Sequence, residues 1–315
     1  MTGNGRTSDT HERMTTLRVL PHIADALRRG APVVALETSV LSQGLPVPHN
    51  AEAAARMMSA VERAGAVAAL TAVASGQPVL GLTPEELTRF LARDGVRKVS
   101  ARDIAACMVQ GADGATTVAA SLTIAHAAGV AVFATGGIGG VHRGVPFDES
   151  ADLQALGRTP VITVCAGAKS ILDLPATLER LETLGVPVVG YRTSELPGFF
   201  TLGTGLRVPQ RAETPDEIAR IAHAHWALGE RSAVLVVQPP PAVAALDQAT
   251  VDAAVEGAVF DAEARGIHGA ALTPFLLGAV LAATGGRSLP ANLALLESNA
   301  TLAATIAVAW AALAR

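Results

Sequence analysis

The sequence predicts a single α/β/α layered domain with a largely parallel central sheet. Short runs of β-branched and small apolar residues alternate with helical segments along the whole chain, as in parallel sheets joined by crossover helices. Half of the 315 residues are hydrophobic but only 3% are aromatic, so alanine, valine and leucine have to build the core. No linker, repeat or low-complexity block divides the chain. Residues 17–315 are therefore expected to form one domain, preceded by a polar, disordered tail over residues 1–16.

Helices and strands alternate through the N-terminal half. A capping threonine, a proline at the first helical position and an acid at the third mark a helix start at Thr83. The helix at 18–29 closes with two arginines and a glycine, a positive last turn and its cap. In chain order the prediction is helix 18–29, strand 32–36, helix 51–64, strand 65–73, a helix from 83 that ends by 95, strand 96–99, helix 116–128 and strand 130–134.

The C-terminal half shows the same alternation and ends in helices. The run Val161 to Val164 is β-branched and is typical of a strand that a parallel sheet buries on both faces. A helix start is predicted at Ser170. The remaining prediction is strand 186–190, helix 216–228, strand 232–237 and helices over 247–265, 274–283 and 290–314.

Composition and charge exclude several classes of protein. The net charge of -4, the pI near 6.1 and the lack of a basic run argue against nucleic-acid binding. Cys107 and Cys165 fit no metal or disulfide spacing, so a reducing cytoplasm is the expected setting. The uncharged stretch 114–142 is long enough to raise the question of a membrane. Its two histidines and its glycines favour a buried helix, strand and turn instead, and no membrane association is expected.

The segment Thr135-Gly-Gly-Ile-Gly-Gly-Val-His-Arg-Gly144 follows a predicted strand directly. It fits neither the G-x-G-x-x-G fingerprint nor the P-loop, which needs a lysine, so both nucleotide motifs are rejected. Five glycines in nine positions indicate a backbone that bends sharply or approaches a ligand closely, with free amides for an anion. A plain surface loop is the alternative reading.

Lys169 stands at the end of the Val161 to Val164 strand, after the small residues 166–168. Open α/β sheets place their chemistry at the carboxyl ends of the strands. Desolvation favours a neutral lysine amine, and a neutral amine attacks an aldehyde to form a Schiff base. A lysine that reaches solvent or neutralises a phosphate is an equally open interpretation of this stretch alone.

Two further acidic positions are predicted at the same sheet edge. Glu37 follows the strand 32–36, and Asp148 lies in the loop after the glycine-rich segment. Taken alone, Glu37 fits an ordinary cap or edge residue. The acids Asp148, Glu149 and Asp152 fit the negative charge that favours a helix N-terminus. Their convergence with Lys169 on one edge favours a functional site.

Several segments resemble the pseudouridine-5′-phosphate glycosidase family, which includes the indigoidine-synthase-A-like proteins. The resemblance covers nearly the whole chain after the first twenty residues. The motifs that carry it are Val34-Ala-Leu-Glu37-Thr-Ser, Gly44-Leu-Pro-Val-Pro-His-Asn50, Gly114-Ala-Thr-Thr-Val118, Phe133-Ala-Thr-Gly-Gly-Ile-Gly-Gly-Val-His-Arg-Gly144, Phe147-Asp148-Glu-Ser-Ala-Asp152-Leu, Cys165-Ala-Gly-Ala-Lys169-Ser-Ile-Leu-Asp173 and Thr273-Pro-Phe-Leu-Leu277.

The resemblance implies an α/β/α fold, a homotrimer, a divalent metal (usually manganese) and cleavage of a C–C glycosidic bond. Pseudouridine 5′-phosphate and water would interconvert with uracil and ribose 5-phosphate. By motif, Lys169 would be the nucleophile, Glu37 the proton donor and Asp148 the metal ligand. The residues expected to contact the substrate are Lys98, Val118, Ser150, Ala151, Asp152 and Asn299.

The sequence also departs from the family pattern. Histidine is usual at position 43, an aliphatic residue at 149, arginine at 202 and a lysine–acid pair at 270–271, and the loop from Arg143 to Asp148 is shorter than usual. Of the Asn-Asn pair that is usual at positions 298–299, only the second residue, Asn299, is present. The residues present are Gln43, Glu149, Leu202, Ala270, Ala271 and Ser298.

These departures leave the substrate more open than the reaction type. A C-ribosylating synthase, which would join ribose 5-phosphate to another carbon acceptor in specialised metabolism, is therefore a second hypothesis. A sugar-phosphate-binding protein without turnover is a third.

Overall fold

The computed structural model describes residues 17–144, 147–267 and 272–313. The predicted tail, residues 1–16, lies outside the described residues. Eleven strands form one sheet in this part of the chain. They are β1 Arg18–Val19, β2 Val33–Leu36, β3 Val67–Ala74, β4 Gln77–Leu80, β5 Arg97–Val99, β6 Gly114–Thr116, β7 Val132–Ala134, β8 Ile162–Cys165, β9 Val188–Tyr191, β10 Gln210–Ala212 and β11 Val234–Val237.

The helices fill the connections between these strands and the C-terminal end of the chain. A π-helical turn, Val40–Gly44, and a 3₁₀ turn, Ala101–Asp103, accompany them. The helices are α1 Pro21–Arg28, α2 His49–Arg63, α3 Pro84–Ala92, α4 Ile104–Val109, α5 Val118–Ala127, α6 Ala151–Leu156, α7 Leu174–Thr183, α8 Pro215–Ala227, α9 Gln248–Ala264, α10 Leu272–Ala283 and α11 Ser288–Leu313.

The central sheet is largely parallel, which confirms the predicted α/β/α fold class. The main strand order is β1-β4-β3-β2-β7-β8-β11-β9-β10, and β5 joins through β6, which pairs with β3. The antiparallel pairs are β3 with β4 and β3 with β6. All four residues of β2, β8 and β11 are buried, as expected for strands covered on both faces.

Strands β2, β7 and β8 are neighbours in parallel register. Leu36 pairs with Ala134, and Ala134 pairs with Val164. The three chains therefore leave the sheet at the same edge, and Glu37, the glycine-rich segment and the loop to Lys169 follow directly. This register is what places the site.

The C-terminal helix α11 forms part of the hydrophobic core. By length and composition it would be able to cross a membrane. In the structure it packs against α2, α8 and strands β2, β7 and β8, and most residues of its N-terminal two thirds are buried. The demands of the core therefore account for its apolar sequence.

Two predicted helices begin as strands. Arg18 and Val19 pair in parallel with β4, and the helix starts only at Pro21, whose fixed φ suits a first helical position. Likewise, Gly114 to Thr116 pairs with β3 and β5, so the helix predicted over 116–128 starts at Val118. Both errors have one cause: long-range pairing overrides the local helical pattern.

The helix predicted at Ser170 starts later. The Asp173 side chain accepts a hydrogen bond from the backbone N–H of Ala176 at 3.0 Å, and Pro175 occupies the first turn. Ser170 is buried, and its hydroxyl has no partner among the described residues. Asp173 is therefore the cap of α7. Strands β4, β6 and β10 and the short helices α4 and α6 were not predicted, because their three to six residues carry little periodic signal. By contrast, the capping box at Thr83 is confirmed.

Candidate active site

A cavity of about 330 Å³ opens at the carboxyl edge of β2, β7 and β8. The structure brings together here every residue for which the sequence predicts a site role, except Asn299. The lining residues of that set are Glu37, Lys98, Val118, Asp148, Ser150, Ala151, Asp152 and Lys169. Lys98 and Lys169 are also the only lysines in the whole sequence.

Glu37 presents a buried carboxyl to this cavity, since the residue is only 6% exposed. The Ser39 hydroxyl donates to its Oε2 at 2.7 Å. The Thr135 hydroxyl, from the end of β7, donates to its Oε1. Both carboxyl oxygens therefore accept a hydrogen bond, as a buried acid requires.

Burial raises the pKa of the Glu37 carboxyl above its ordinary value. The positive charge of Lys169 and the hydrogen bonds from Thr135 and Ser39 act in the opposite direction, and the charge of Asp152 adds to the rise. The net effect favours a protonated acid at a pH where an exposed glutamate is ionised. Such a group is suited to donate a proton.

The loop to Lys169 and the glycine-rich segment are tied together by their backbones. The Ile138 N–H donates to the Gly167 carbonyl and the Lys169 N–H to the Ile138 carbonyl, both at 3.1 Å. Gly167 has φ +88°, and a Cβ there would lie 2.5 Å from the Pro197 carbonyl oxygen. Glycine is therefore required to bring Lys169 to the cavity.

The neighbouring Cys165 offers no alternative nucleophile. It is fully buried at the end of β8, and burial raises its pKa to about 12. Its thiol therefore stays protonated near neutral pH, and thiolate chemistry is excluded.

Asp152 ties the glycine-rich segment to the start of α5. Its Oδ2 accepts from the Gly139 N–H and its Oδ1 from the Ala119 N–H, both at 2.9 Å. Ser150 caps α6 by accepting from the Asp152 N–H at 3.2 Å. The interpretation of the acids as helix N-terminal charges is thus correct for Asp152, which lies in the first turn of α6 and accepts a hydrogen bond from the first turn of α5. Ser150 and Asp152 also line the cavity.

Lys98 and Val118 approach the cavity from β5 and from the N-terminus of α5. Burial by the surrounding protein lowers the pKa of the Lys98 amine, and the charge of Lys169 lowers it further. Asp152 and Glu37 act in the opposite direction. The positive end of the α5 dipole faces the same space, so this side of the cavity suits an anionic group.

Asp148 lies beside His142, with 3.1 Å between Asp148 Oδ1 and His142 Nδ1. That nitrogen is buried and has no hydrogen-bond partner among the described residues. A carboxylate oxygen and an imidazole nitrogen that lie 3.1 Å apart without a hydrogen bond between them fit a divalent cation such as Mn²⁺. The described ranges contain no cluster of three or more potential metal ligands, so a cation here would keep most of its waters.

Asn299 lies behind the cavity rather than in its lining. Its amide donates to the Thr135 carbonyl at 2.9 Å and to the Gly136 carbonyl at 3.3 Å. Its Oδ1 accepts from Gln238 Nε2 at 2.9 Å. The amide is thus engaged by protein groups on both ends, and a substrate contact stays a prediction.

The positions that depart from the family pattern fall in three places. Gln43 and Glu149 line the cavity, and Glu149 also pairs with Arg180 at 2.8 Å. Leu202 is half exposed at the surface, and Ser298 accepts a hydrogen bond from Gln238. Ala270 and Ala271 lie outside the described residues, as do positions 145–146 of the shortened loop.

Several lining residues carry no functional signal in their local sequence. Phe199 and Asn292 come from a loop and a helix far along the chain, and local spacing does not connect them to Glu37. The hydroxyls of Ser39 and Thr135, which donate to the Glu37 carboxyl, were likewise not predicted. The missed lining residues are Ser39, Val40, Ser100, Arg102, Thr117, Leu172, Phe199 and Asn292.

Fold and site together define an α/β enzyme that holds a buried acid and a lysine amine over one small-molecule cavity. A family model described as indigoidine synthase A like protein matches residues 22–309. A pseudouridine-5′-phosphate glycosidase of Gemmatimonas aurantiaca is 62% identical over 298 residues, or 95% of this chain and 97% of the relative. Another, of Herpetosiphon aurantiacus, is 52% identical over 94% of this chain and 98% of the relative.

Two solved structures share the fold. The prealnumycin C-glycosynthase AlnA, solved in complex with ribulose 5-phosphate, has a TM-score of 0.89 and 40% identity over 95% of this chain and 98% of its own. An indigoidine synthase A-like protein of Thermotoga maritima has a TM-score of 0.86 and 33% identity over 98% of both chains. The chain therefore belongs to the indigoidine-synthase-A-like family, which includes the pseudouridine-5′-phosphate glycosidases, and it is an enzyme.

The close approach at Gly139 gives a first testable prediction. A Cβ there would lie 2.2 Å from Ser150 Oγ and 2.9 Å from Asp152 Oδ2. Gly139→Ala should therefore lower the free energy of unfolding by about 1–3 kcal/mol, measured by urea denaturation. The control Gly257→Ala, in α9 with no atom within 4 Å of the added Cβ, should stabilise slightly. Equal stability of Gly139→Ala and the wild type would contradict the packing described for this loop.

Proposed function

We propose that this enzyme is a metal-dependent C-glycosidase that interconverts pseudouridine 5′-phosphate and water with uracil and ribose 5-phosphate. The observation that carries the proposal is the placement of a buried acid, Glu37, and a lysine amine, Lys169, on one cavity. The names of the two glycosidase relatives support this substrate. The ribulose 5-phosphate bound to AlnA supports a sugar phosphate as the ligand class.

A C–C glycosidic bond lacks the heteroatom leaving group that glycosidases with two carboxylates protonate. We assign Glu37 to donate its proton to the ring oxygen as the C1′–O4′ bond breaks. The neutral amine of Lys169 attacks C1′ and loses a proton as the N–C1′ bond forms. The product is an open-chain ribose attached through C1′ to both uracil and Lys169.

Cleavage of the carbon–carbon bond follows from this adduct. C5 of uracil takes up a proton, and the nitrogen lone pair of Lys169 forms a C1′=N iminium. The electron pair of the broken C1′–C5 bond restores the C5=C6 double bond of free uracil. Water then adds to C1′ and releases the aldehyde of ribose 5-phosphate together with the Lys169 amine, so one water is consumed in each turnover.

The other lining residues bind and orient the substrate. Lys98 and the N-terminus of α5 are assigned to the negative charge of the phosphate or the base. Asp148 and His142 would hold the divalent cation, most consistent with Mn²⁺. When bound, that cation supplies a Lewis acid that orients the opened sugar or the base carbonyls.

A second candidate function is synthesis of a C-glycoside from ribose 5-phosphate and another carbon acceptor. The specific observation that favours it is the 40% identity to a C-glycosynthase, together with Gln43 and Glu149 in the cavity lining. Uracil and a panel of other carbon acids, each incubated with ribose 5-phosphate and Mn²⁺, separate the two functions. Turnover of uracil supports the glycosidase. Product only with another acceptor supports the synthase, and binding without any product would leave a sugar-phosphate-binding protein.

The imine gives the second prediction, because borohydride reduces an imine but not a salt bridge. Borohydride added with ribose 5-phosphate should leave a stable sugar-phosphate adduct on the peptide that contains Lys169, as read by mass spectrometry. Lys169→Arg keeps the charge without a neutral amine near pH 7, so it should bind ribose 5-phosphate but give neither adduct nor turnover.

Lys98 is the matched control, since it is the only other lysine of the chain and lines the same cavity. Lys98→Ala should weaken binding while the label stays on Lys169. A Lys169→Arg variant that turns over at a rate comparable with the wild type would rule out the covalent mechanism.

The third prediction concerns the cation. Asp148→Ala should lose both activity and the rise in melting temperature that Mn²⁺ produces, while its circular dichroism stays native. Asp216→Ala, which removes an exposed carboxylate paired with Arg220 on α8, should keep both. Full activity of the wild type after exhaustive chelation would remove the metal from the mechanism.

The fourth prediction is a homotrimer, which the family resemblance supports. The core already covers most of α11, so the apolar surface left for a neighbour includes Val308 and Leu313 near its end and Phe260 on α9. Light scattering at micromolar concentration should give a mass of about three chains. A purely monomeric sample would contradict the assembly.

A further inference from the structure

The acid Glu37 is connected to a helix on the far side of the cavity wall by a chain of buried polar groups. Gln238 follows β11 and donates to Asn299 of α11, and Asn299 donates to the Thr135 carbonyl. The Thr135 hydroxyl then donates to Glu37. Thr135 and Asn299 are each 1% exposed, and Gln238 is 8% exposed. These three residues, Gln238, Asn299 and Thr135, form a buried hydrogen-bond network behind Glu37.

The hydrogen bonds allow one orientation of the Asn299 amide. Its NH₂ group faces two carbonyl oxygens, of Thr135 and Gly136, and its oxygen faces the Gln238 NH₂ group. A flipped amide would set its oxygen against the two carbonyls and its NH₂ group against the Gln238 NH₂ group, so that neither end of the amide would keep a hydrogen bond. Asn299 is therefore locked, and it fixes the backbone of Thr135 from behind.

The two oxygens of Glu37 are not equivalent. Thr135 has no surface in the cavity lining, whereas Ser39 does. Both oxygens accept a hydroxyl hydrogen bond, Oε1 from Thr135 behind the cavity lining and Oε2 from Ser39 in the lining, so Oε2 is the oxygen on the cavity side. The contact with Thr135 thus holds the carboxyl in the orientation that keeps Oε2 on the cavity side.

We propose that Thr135 and Asn299 are positioning residues for the proton donor Glu37, and that Asn299 acts through Thr135 rather than by touching the substrate. The inference rests on the proposed function, in which Glu37 donates a proton. It goes beyond that function by assigning a task to a buried network, Gln238, Asn299 and Thr135, whose members all lie outside the cavity lining. The same network explains why an asparagine outside the cavity belongs with the site.

The charged groups around Glu37 do not change when Thr135 is altered. They are Lys169 at the end of β8, Asp152 on α6 and Lys98 on β5. A hydrogen bond from Thr135 favours the ionised carboxyl, so its loss raises the pKa of Glu37. A bond to a charged group is strong enough to move that pKa by about one pH unit or more.

The test is an infrared pH titration of the carboxyl band that disappears in Glu37→Gln, run on the full chain without substrate. In Thr135→Val, which keeps the shape but removes the hydroxyl, the band should titrate about one pH unit or more above the wild type. Thr135→Ser should restore the wild-type titration. The control Thr163→Val removes a buried hydroxyl of β8 that bonds only a backbone carbonyl, and it should leave the titration unchanged.

Kinetics with pseudouridine 5′-phosphate supply the second measurement. Thr135→Val and Asn299→Ala should each lower kcat about tenfold or more, because misplaced reacting groups lose much of their rate, while KM changes less than about twofold. The alkaline limb of the kcat profile should move to higher pH in Thr135→Val, since Glu37 stays protonated longer.

Two outcomes would overturn the inference. A Glu37 band that titrates in Thr135→Val as in the wild type would do so, and so would a rise in KM without a fall in kcat for Asn299→Ala, which marks a substrate contact. Because the infrared titration needs no substrate, a wild-type enzyme that fails to cleave pseudouridine 5′-phosphate overturns the proposed function separately and leaves the titration readable.

Discussion

The parallel pairing of β2, β7 and β8 is the constraint on which the rest of the site depends. Parallel neighbours end at the same edge of a sheet, so the segments that follow them must share one small space. Glu37, Thr135 and the loop to Lys169 are those segments. A register shift of one residue in β7 would turn its side chains to the other face and move Thr135 off the Glu37 carboxyl. Sheet register therefore sets which groups contact the Glu37 carboxyl.

The second constraint at this edge of the sheet is that the loop backbones lie very close to each other and to neighbouring side chains. The loops after β7 and β8 are hydrogen-bonded to each other, and side chains pack directly on their glycines. At Gly140 an added Cβ would lie 2.4 Å from Thr177 Oγ1, and at Gly137 it would lie 2.6 Å from the Phe199 ring. The glycines thus serve packing as much as ligand binding. The spacing of these glycines therefore follows the side chains that pack against them, which explains why the segment matches neither nucleotide-binding motif.

Buried polar groups set the electrostatic character of the cavity. Asp152 joins two backbone N–H groups from separate elements, and Glu37 accepts two hydroxyls. Each carboxyl is held on both oxygens, so neither is left unpaired in the interior. Within the same cavity, burial raises the pKa of the Glu37 carboxyl and lowers the pKa of the Lys98 amine, and the charges of Lys169 and Asp152 act on both groups.

The sequence by itself determined the fold class, the positions of β2, β7 and β8, and the convergence of Glu37, Asp148 and Lys169. Buried parallel strands leave continuous apolar runs, and polar residues right after them fall at one edge. Only the tertiary structure decided the short strands β1 and β6, because their pairing partners lie far away in the chain. It alone placed Asn299 behind the cavity and Thr135 on Glu37. The hydrogen bond from Asn299 to Thr135 spans 164 positions of the sequence, and the bond from Thr135 to Glu37 spans 98. No local sequence pattern encodes contacts of that range.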